Sequence, residues 1–377
     1  MTAPARTSAT RLVRAGRFRG SGRSGGSGRA VGPARLRPGW FATGVVAVVI
    51  ASVAGVAIGP VGINPIGAAA ELLNLIPGVS LHSGLSAQEA AIITELRLPR
   101  VVLGLLVGAM LALAGGCYQG VFRNPLADPY LLGVAAGAGL GATAAVVIAV
   151  AAGTSGRQSG LVPPLAFVGA MVAVGLTYGL GVSGGRQRTP VTLILAGVAV
   201  VAFLTAIQTY LLQQHADTIR EVYTFILGSL ATSGWGSVRL ILPYAVVSAL
   251  IVLLHRRELD VLSVGDDEAA SLGLHPQRSR YALVVAASLG TAAAVSVAGL
   301  VGFVGIIVPH TIRLMAGTSY RVILPLSLLF GGAFVVLCDL GARTLAVPSE
   351  IPLGVVTAFL GAPFFIIVLR SAGRVSL

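Results

Sequence analysis

The chain has 377 residues, of which 55% are hydrophobic and 10% charged, with a mean hydropathy of +0.89 and a formal charge of +13. Soluble domains carry about 25% charged residues, so a water-facing surface is excluded at this length and the bilayer is the expected solvent. All 26 basic residues are Arg, which rules out a Walker A loop and Schiff-base chemistry, both of which need a Lys; any ATP consumed must be hydrolysed by another subunit.

Residues 1–39 hold nine Arg and no acid among Gly and Ser. Such a segment buries too little apolar surface to fold and reads as a disordered basic tail drawn to anionic lipid. Residues 40–377 read as one all-α integral membrane domain. Apolar stretches long enough to cross a hydrocarbon core, about 20 residues each, fall near 40–59, 101–120, 130–151, 161–182, 190–212, 236–254, 279–299, 300–316, 322–341 and 351–369. The seventh and eighth nearly touch, so a tight turn is expected within residues 298–302. Placing both termini in the cytoplasm puts 20 Arg inside and six outside, which fits ten spans under the positive-inside rule. Gly104 with Gly108, and Gly133 with Gly137 and Gly141, have the four-residue step that lets helices approach closely.

Three segments break the apolar run. The first is Leu96-Arg97-Leu98-Pro99-Arg100 at one mouth of the second span, with Arg123-Asn124-Pro125-Leu126-Ala127-Asp128-Pro129 at the other, where two prolines force a reversal. The second is the loop near 258–278. Its Asp266, Asp267 and Glu268 open a short helix whose N-terminal dipole favours acids, and Gly273 offers a stop. Such a helix is suited to docking in a partner's groove. The third runs from Gly302 through His310 and Arg313 to Asp339, Arg343, Glu350 and Phe365. Asp339 and Arg343 have the spacing of a local ion pair, and His310 reads as a packing residue before a proton relay. Cys117 and Cys338 sit in apolar runs as small hydrophobes. The five His are scattered with no Cys or His partner at ligand spacing, so no metal site is expected.

In this order LRLPR, RNPLADPYLLGV, LILAG, GDDEAASLG, GFVGIIVPHTIRL and EIPLGVVTAFLGAPFF, spread over residues 95–370, resemble the FecCD family, the permeases of type II ABC importers for iron-siderophores, haem and cobalamin. The resemblance implies a ten-helix permease in a bacterial plasma membrane that pairs with a second copy or close homologue. It implies two ATP-binding subunits carrying ATP and Mg, an extracytoplasmic binding protein, and no cofactor on this chain. The ATPase would dock on the loop holding Gly265, Asp266, Asp267, Glu268, Ala269 and Gly273. Arg97, Arg100 and Arg343 match positions that face carboxylates of the binding protein. The cytoplasmic gate maps to Asn124 and Leu126 with Pro190 and Val191, where a studied relative has small hydroxyl residues. An iron-siderophore is the expected cargo, with haem or cobalamin as the alternative.

Two rivals weigh less. A membrane-embedded enzyme needs a catalytic constellation such as paired carboxylates, and Asp339 is the only carboxylate inside an expected span. An ion-driven secondary transporter needs ionisable sites near the midplane, for which there are few candidates.

Overall fold

A computed structural model of the chain describes residues 36–59, 61–74, 78–183, 190–231 and 234–372. The expected basic tail therefore lies outside the described residues up to 35. From there the apolar stretches wind into helices, because a backbone in lipid must satisfy its own polar groups. Helix α1 spans Pro38–Ala57, with Pro38 at its first turn, and α2 spans Pro65–Leu73. Helix α3 spans Ala87–Val121, with a π-helical stretch over Ile92–Arg97. Then come α4 (Val134–Ala151), α5 (Val162–Ser183), α6 (Pro190–Gln214), α7 (Ile219–Ile226) and α8 (Trp235–Leu254). The loop expected near 258–278 holds α9 (Arg256–Leu262) and α10 (Asp266–Ser271). Helices α11 (Pro276–Ala298), α12 (Val304–Ala316), α13 (Tyr320–Thr344) and α14 (Leu353–Ala372) follow. Among the described residues eight helices are long and apolar enough to cross a membrane, and two shorter apolar ones, Val304–Ala316 and Leu353–Val368, occupy the eighth and tenth expected spans.

Helix α3 is the axis of the bundle. Every residue from Met110 to Val121 is buried, and a helix buried all round belongs at the centre of a packed assembly. Its glycines set how closely the others approach. A Cβ on Gly108 would fall on the backbone of Gly331 in α13, and one on Gly115 would fall on Gly305 in α12. In the same way Gly137 and Gly141 of α4 meet the backbone of α5 at Gly169 and Leu165. Gly133, expected in the same row, instead precedes α4 with φ +82° and turns the chain into it. Polar pairs add cross-helix links: Tyr118 to Ser288 at 2.6 Å, Gln208 to Thr143 at 3.1 Å, and Ser248 to the Ala286 carbonyl at 2.7 Å.

The eighth span departs from expectation. Helix α12 has 13 residues, roughly 20 Å at 1.5 Å per residue, too short for a core of about 30 Å. The expected turn between spans is Gly299–Phe303, entered at Gly299 with φ +70° and left at Phe303 with φ +67°. Two other breaks adjoin it and are paired with the end of α11 and with each other. Ser229 N–H donates to the Ala298 carbonyl at 2.9 Å, while Leu353 and Gly354 N–H donate to the carbonyls of Gly228 and Leu227, each at 3.0 Å. The Tyr130 hydroxyl serves Val301 twice, donating to its carbonyl and accepting from its N–H, both at 3.0 Å. Broken helices persist at membrane depth only when other protein groups complete them in this way.

Candidate functional site

At the end of the bundle that carries α10, two features adjoin: the α9–α10 segment and the non-helical turn of residues 122–133. Helix α10 is six residues long because a glycine closes it. Gly273 adopts φ +82°, Leu274 N–H donates to the Ala269 carbonyl at 3.0 Å, and Gly273 N–H to that of Ala270 at 2.9 Å. That paired pattern is a Schellman cap, the stop expected at Gly273. The residues of this segment divide by face. Gly265 and Ala269 are buried, whereas Asp267, Glu268, Ala270, Ser271 and Gly273 are exposed between Val264 and Leu272. The outward surface is thus acidic in the middle and apolar at both sides.

Asp266 belongs to the inner face. Both of its oxygens accept from Arg280 at the start of α11, at 2.6 and 2.7 Å, and one also accepts from Arg123. Asp260 on α9 makes a parallel attachment to the first turn of α13, accepting from Tyr320 N–H at 2.6 Å and Ser319 Oγ at 2.8 Å. Beyond it Arg313 of α12 reaches Gln119 at 3.3 Å and the Tyr320 hydroxyl at 3.2 Å. The α9–α10 segment is therefore tied by carboxylates to α11, α13 and the 122–133 turn.

Asn124 organises that turn. Its side chain accepts from Leu126 N–H at 3.0 Å and its carbonyl from Ala127 N–H at 3.0 Å, the self-capping turn for which Asn is suited. Asp128 then accepts from Tyr130 N–H at 2.7 Å, presenting the Tyr130 ring to the break at Val301. Pro190 and Val191 open α6, with Val191 61% exposed, and the preceding residues 184–189 lie outside the described set. Helix α6 meets the turn through Gly197, where a Cβ would strike the Leu131 carbonyl. His310 packs edge-on against Phe364 of α14, centroids 6.0 Å apart, as a packing residue does.

At the opposite end Arg97, Arg100 and Arg343 converge, but beneath the rim. Arg97 is 5% exposed and Arg343 3%. Arg97 donates to the carbonyls of Val56, Ala57 and Val61, and Arg343 to that of Gly55. Together they cap the last turn of α1, where orphan carbonyls attract cations. Arg100 clasps Asp339 at 2.8 Å and, through both terminal nitrogens, Glu350 at 2.9 and 2.8 Å. Asp339 meets Arg343 at 3.6 Å, as their spacing predicted. Internal carbonyls and carboxylates thus take up donors of all three arginines that the resemblance matches to the binding-protein contact. Arg100 alone faces a partly exposed group, Glu350, whose carboxyl its hydrogen bonds hold below the usual carboxylate range.

Sequence reasoning passed over Asp260, Arg280, Tyr130 and Glu350 as contributors. Charged or phenolic residues at the edges of apolar runs were the signal, but their partners are distant in sequence. The description "FecCD transport family" fits residues 46–371. A cobalamin import system permease protein, BtuC, of Halobacterium salinarum is 42% identical over 79% of this chain and 78% of its own length. The iron(3+)-hydroxamate import system permease protein FhuB of Bacillus subtilis is 35% identical over 88% and 85%. A solved structure described as an inward-facing metal-chelate type ABC transporter superposes with a TM-score of 0.76 at 26% identity, covering 89% of this chain and 100% of its own. With the helical order, the broken helices and the ordered motifs all in place, the chain belongs to the FecCD transport family and is an ABC importer permease, a transport component and not an enzyme.

Proposed function

We propose that the α10 end faces the cytoplasm, that α10 docks an ATP-binding subunit, and that two such subunits drive uptake of an iron-siderophore complex through a pair of permeases. The observation that carries this reading is the exposed face from Val264 to Leu272, seated on carboxylates that reach the 122–133 turn. A short helix with apolar flanks fits a groove on a partner, and its inner face is already fastened to the elements that must move. Asn124, Leu126, Pro190 and Val191 belong to the gate in this reading. The opposite end receives a binding protein, where Arg100 can exchange Glu350 for a partner's carboxylate. The exposed apolar face of α14, with Phe359 76% exposed, suits a second copy or a close homologue. The 42% identity to a cobalamin permease favours cobalamin as a second reading.

The test is reconstitution of the chain in liposomes with its ATP-binding subunit and binding protein. Radiolabelled ferric hydroxamate, ferric citrate and cyanocobalamin serve as probes. The expected result is ferric chelate uptake that vanadate abolishes and an uncoupler leaves intact. Uptake of cobalamin alone selects the second reading, and uptake that survives vanadate but fails with the uncoupler overturns ATP-driven import.

A further inference from the structure

Asp266 is shared by two arginines that differ in kind. Arg280 grips it with two nitrogens at 2.6 and 2.7 Å, and the Arg280 side chain is 8% exposed. Asp266 itself is 39% exposed, so the firmness of this contact comes from its bidentate geometry and from the buried guanidinium. Arg123 touches the same carboxylate from the other side, but there both side chains are more than a third exposed, and an exposed ion pair contributes little. The first contact is the firmer of the two and the second is more easily broken.

Arg123 also carries backbone strain. Its φ is +50°, in the left-handed region that a non-glycine residue avoids. The residue sits at the head of the 122–133 turn, next to Asn124. At the tail of that turn Tyr130 holds both polar groups of Val301 in the break between α11 and α12. The turn therefore has two handles, one on the α10 segment and one on the broken helices, joined through the hydrogen bonds of Asn124 and Asp128.

We infer that Asp266 is a positioning residue that transmits movement of α10 to the gate turn, holding Arg280 throughout and gripping Arg123 in only one state of the transport cycle. Release of Arg123 lets its strained backbone relax and carries Asn124 and Leu126 with it. This rests on the reading of α10 as the ATPase docking helix, but it assigns Asp266 to contacts within the permease and leaves docking to Asp267, Glu268 and their apolar neighbours.

The test uses the permease complexed with its ATP-binding subunit in nanodiscs. A Leu126→Cys reporter is followed with a maleimide, and the two native thiols are buried. In the parent complex, ATP with vanadate should change the reporter's labelling rate several-fold. Arg123→Gln and Asp266→Asn should assemble with the ATPase yet lose that nucleotide-dependent change, while Arg123→Lys, which keeps the charge, should retain it. A merely structural role predicts lower yield in the Gln and Asn variants with the change intact, and that outcome overturns the inference. Loss of ATPase binding in either variant also overturns it, since Asp266 is then a docking residue. Failure of the parent chain to hold the ATPase at all overturns the docking reading itself.

Discussion

Arginines 97 and 343 show how far a residue's neighbourhood can alter its meaning. Counted along the sequence they are exceptions to the positive-inside rule. In the fold they are the partners that the C-terminal carbonyls of α1 require. The Asp339–Arg343 spacing was legible because it lies within one helix. The stronger contact, Arg100 to Asp339, joins residues 239 positions apart and leaves no local pattern to read. Magnitude separates the two partners of Asp339, which is 3% exposed. Arg343 approaches only to 3.6 Å, whereas Arg100 makes short hydrogen bonds. Removing Arg100 leaves a buried carboxylate poorly compensated, at a cost of about 3–5 kcal/mol. Arg100→Met should therefore lower the thermal midpoint of purified permease strongly, and adding Asp339→Leu should recover most of the loss. Equal midpoints for the single and double variants would show that the carboxylate had other support.

At the scale of elements, the positions of the helices were legible and their depth was not. Hydrophobic length placed a segment at 300–316, but the helix begins only at Val304, because hydropathy registers an apolar residue whether or not its backbone is helical. What permits the break is a set of distant partners, Tyr130 above all. The glycine steps were read correctly as packing faces at Gly108, Gly137 and Gly141, and contact geometry now ranks them. Gly115 meets backbone of Gly305, which cannot move aside as a side-chain tip would, whereas Gly175 in α5 has nothing within 4 Å of an added Cβ. Alanine raises helix propensity by about 1 kcal/mol over glycine, but overpacking costs about 1–3 kcal/mol. Gly115→Ala should consequently destabilise the bundle and displace α12, while Gly175→Ala should be neutral or slightly stabilising. Thermal scans of the two variants in one detergent check the contrast, and a stable Gly115→Ala would mean that α3 and α12 part without penalty.

For the whole molecule, burial of particular arginines bears on orientation in the membrane. Arginines that are buried and internally matched have little power to anchor a membrane end, because their charge is already offset. At the α2 end this describes Arg97 and Arg343, and Arg100 is engaged with two acids. At the α10 end Arg257 and Arg278 are exposed, free to meet anionic headgroups. This charge distribution supports the proposed orientation, with α10 in the cytoplasm and the loop after α13 outside. Two single-cysteine variants test this, Glu268→Cys on the exposed face of α10 and Leu345→Cys, where the native side chain is 74% exposed. On intact cells a membrane-impermeant maleimide should label residue 345 and miss residue 268, and permeabilisation should bring residue 268 to equal labelling. The reverse pattern inverts the molecule, and with it the assignment of α10 to the ATPase and of Arg100 to the binding protein.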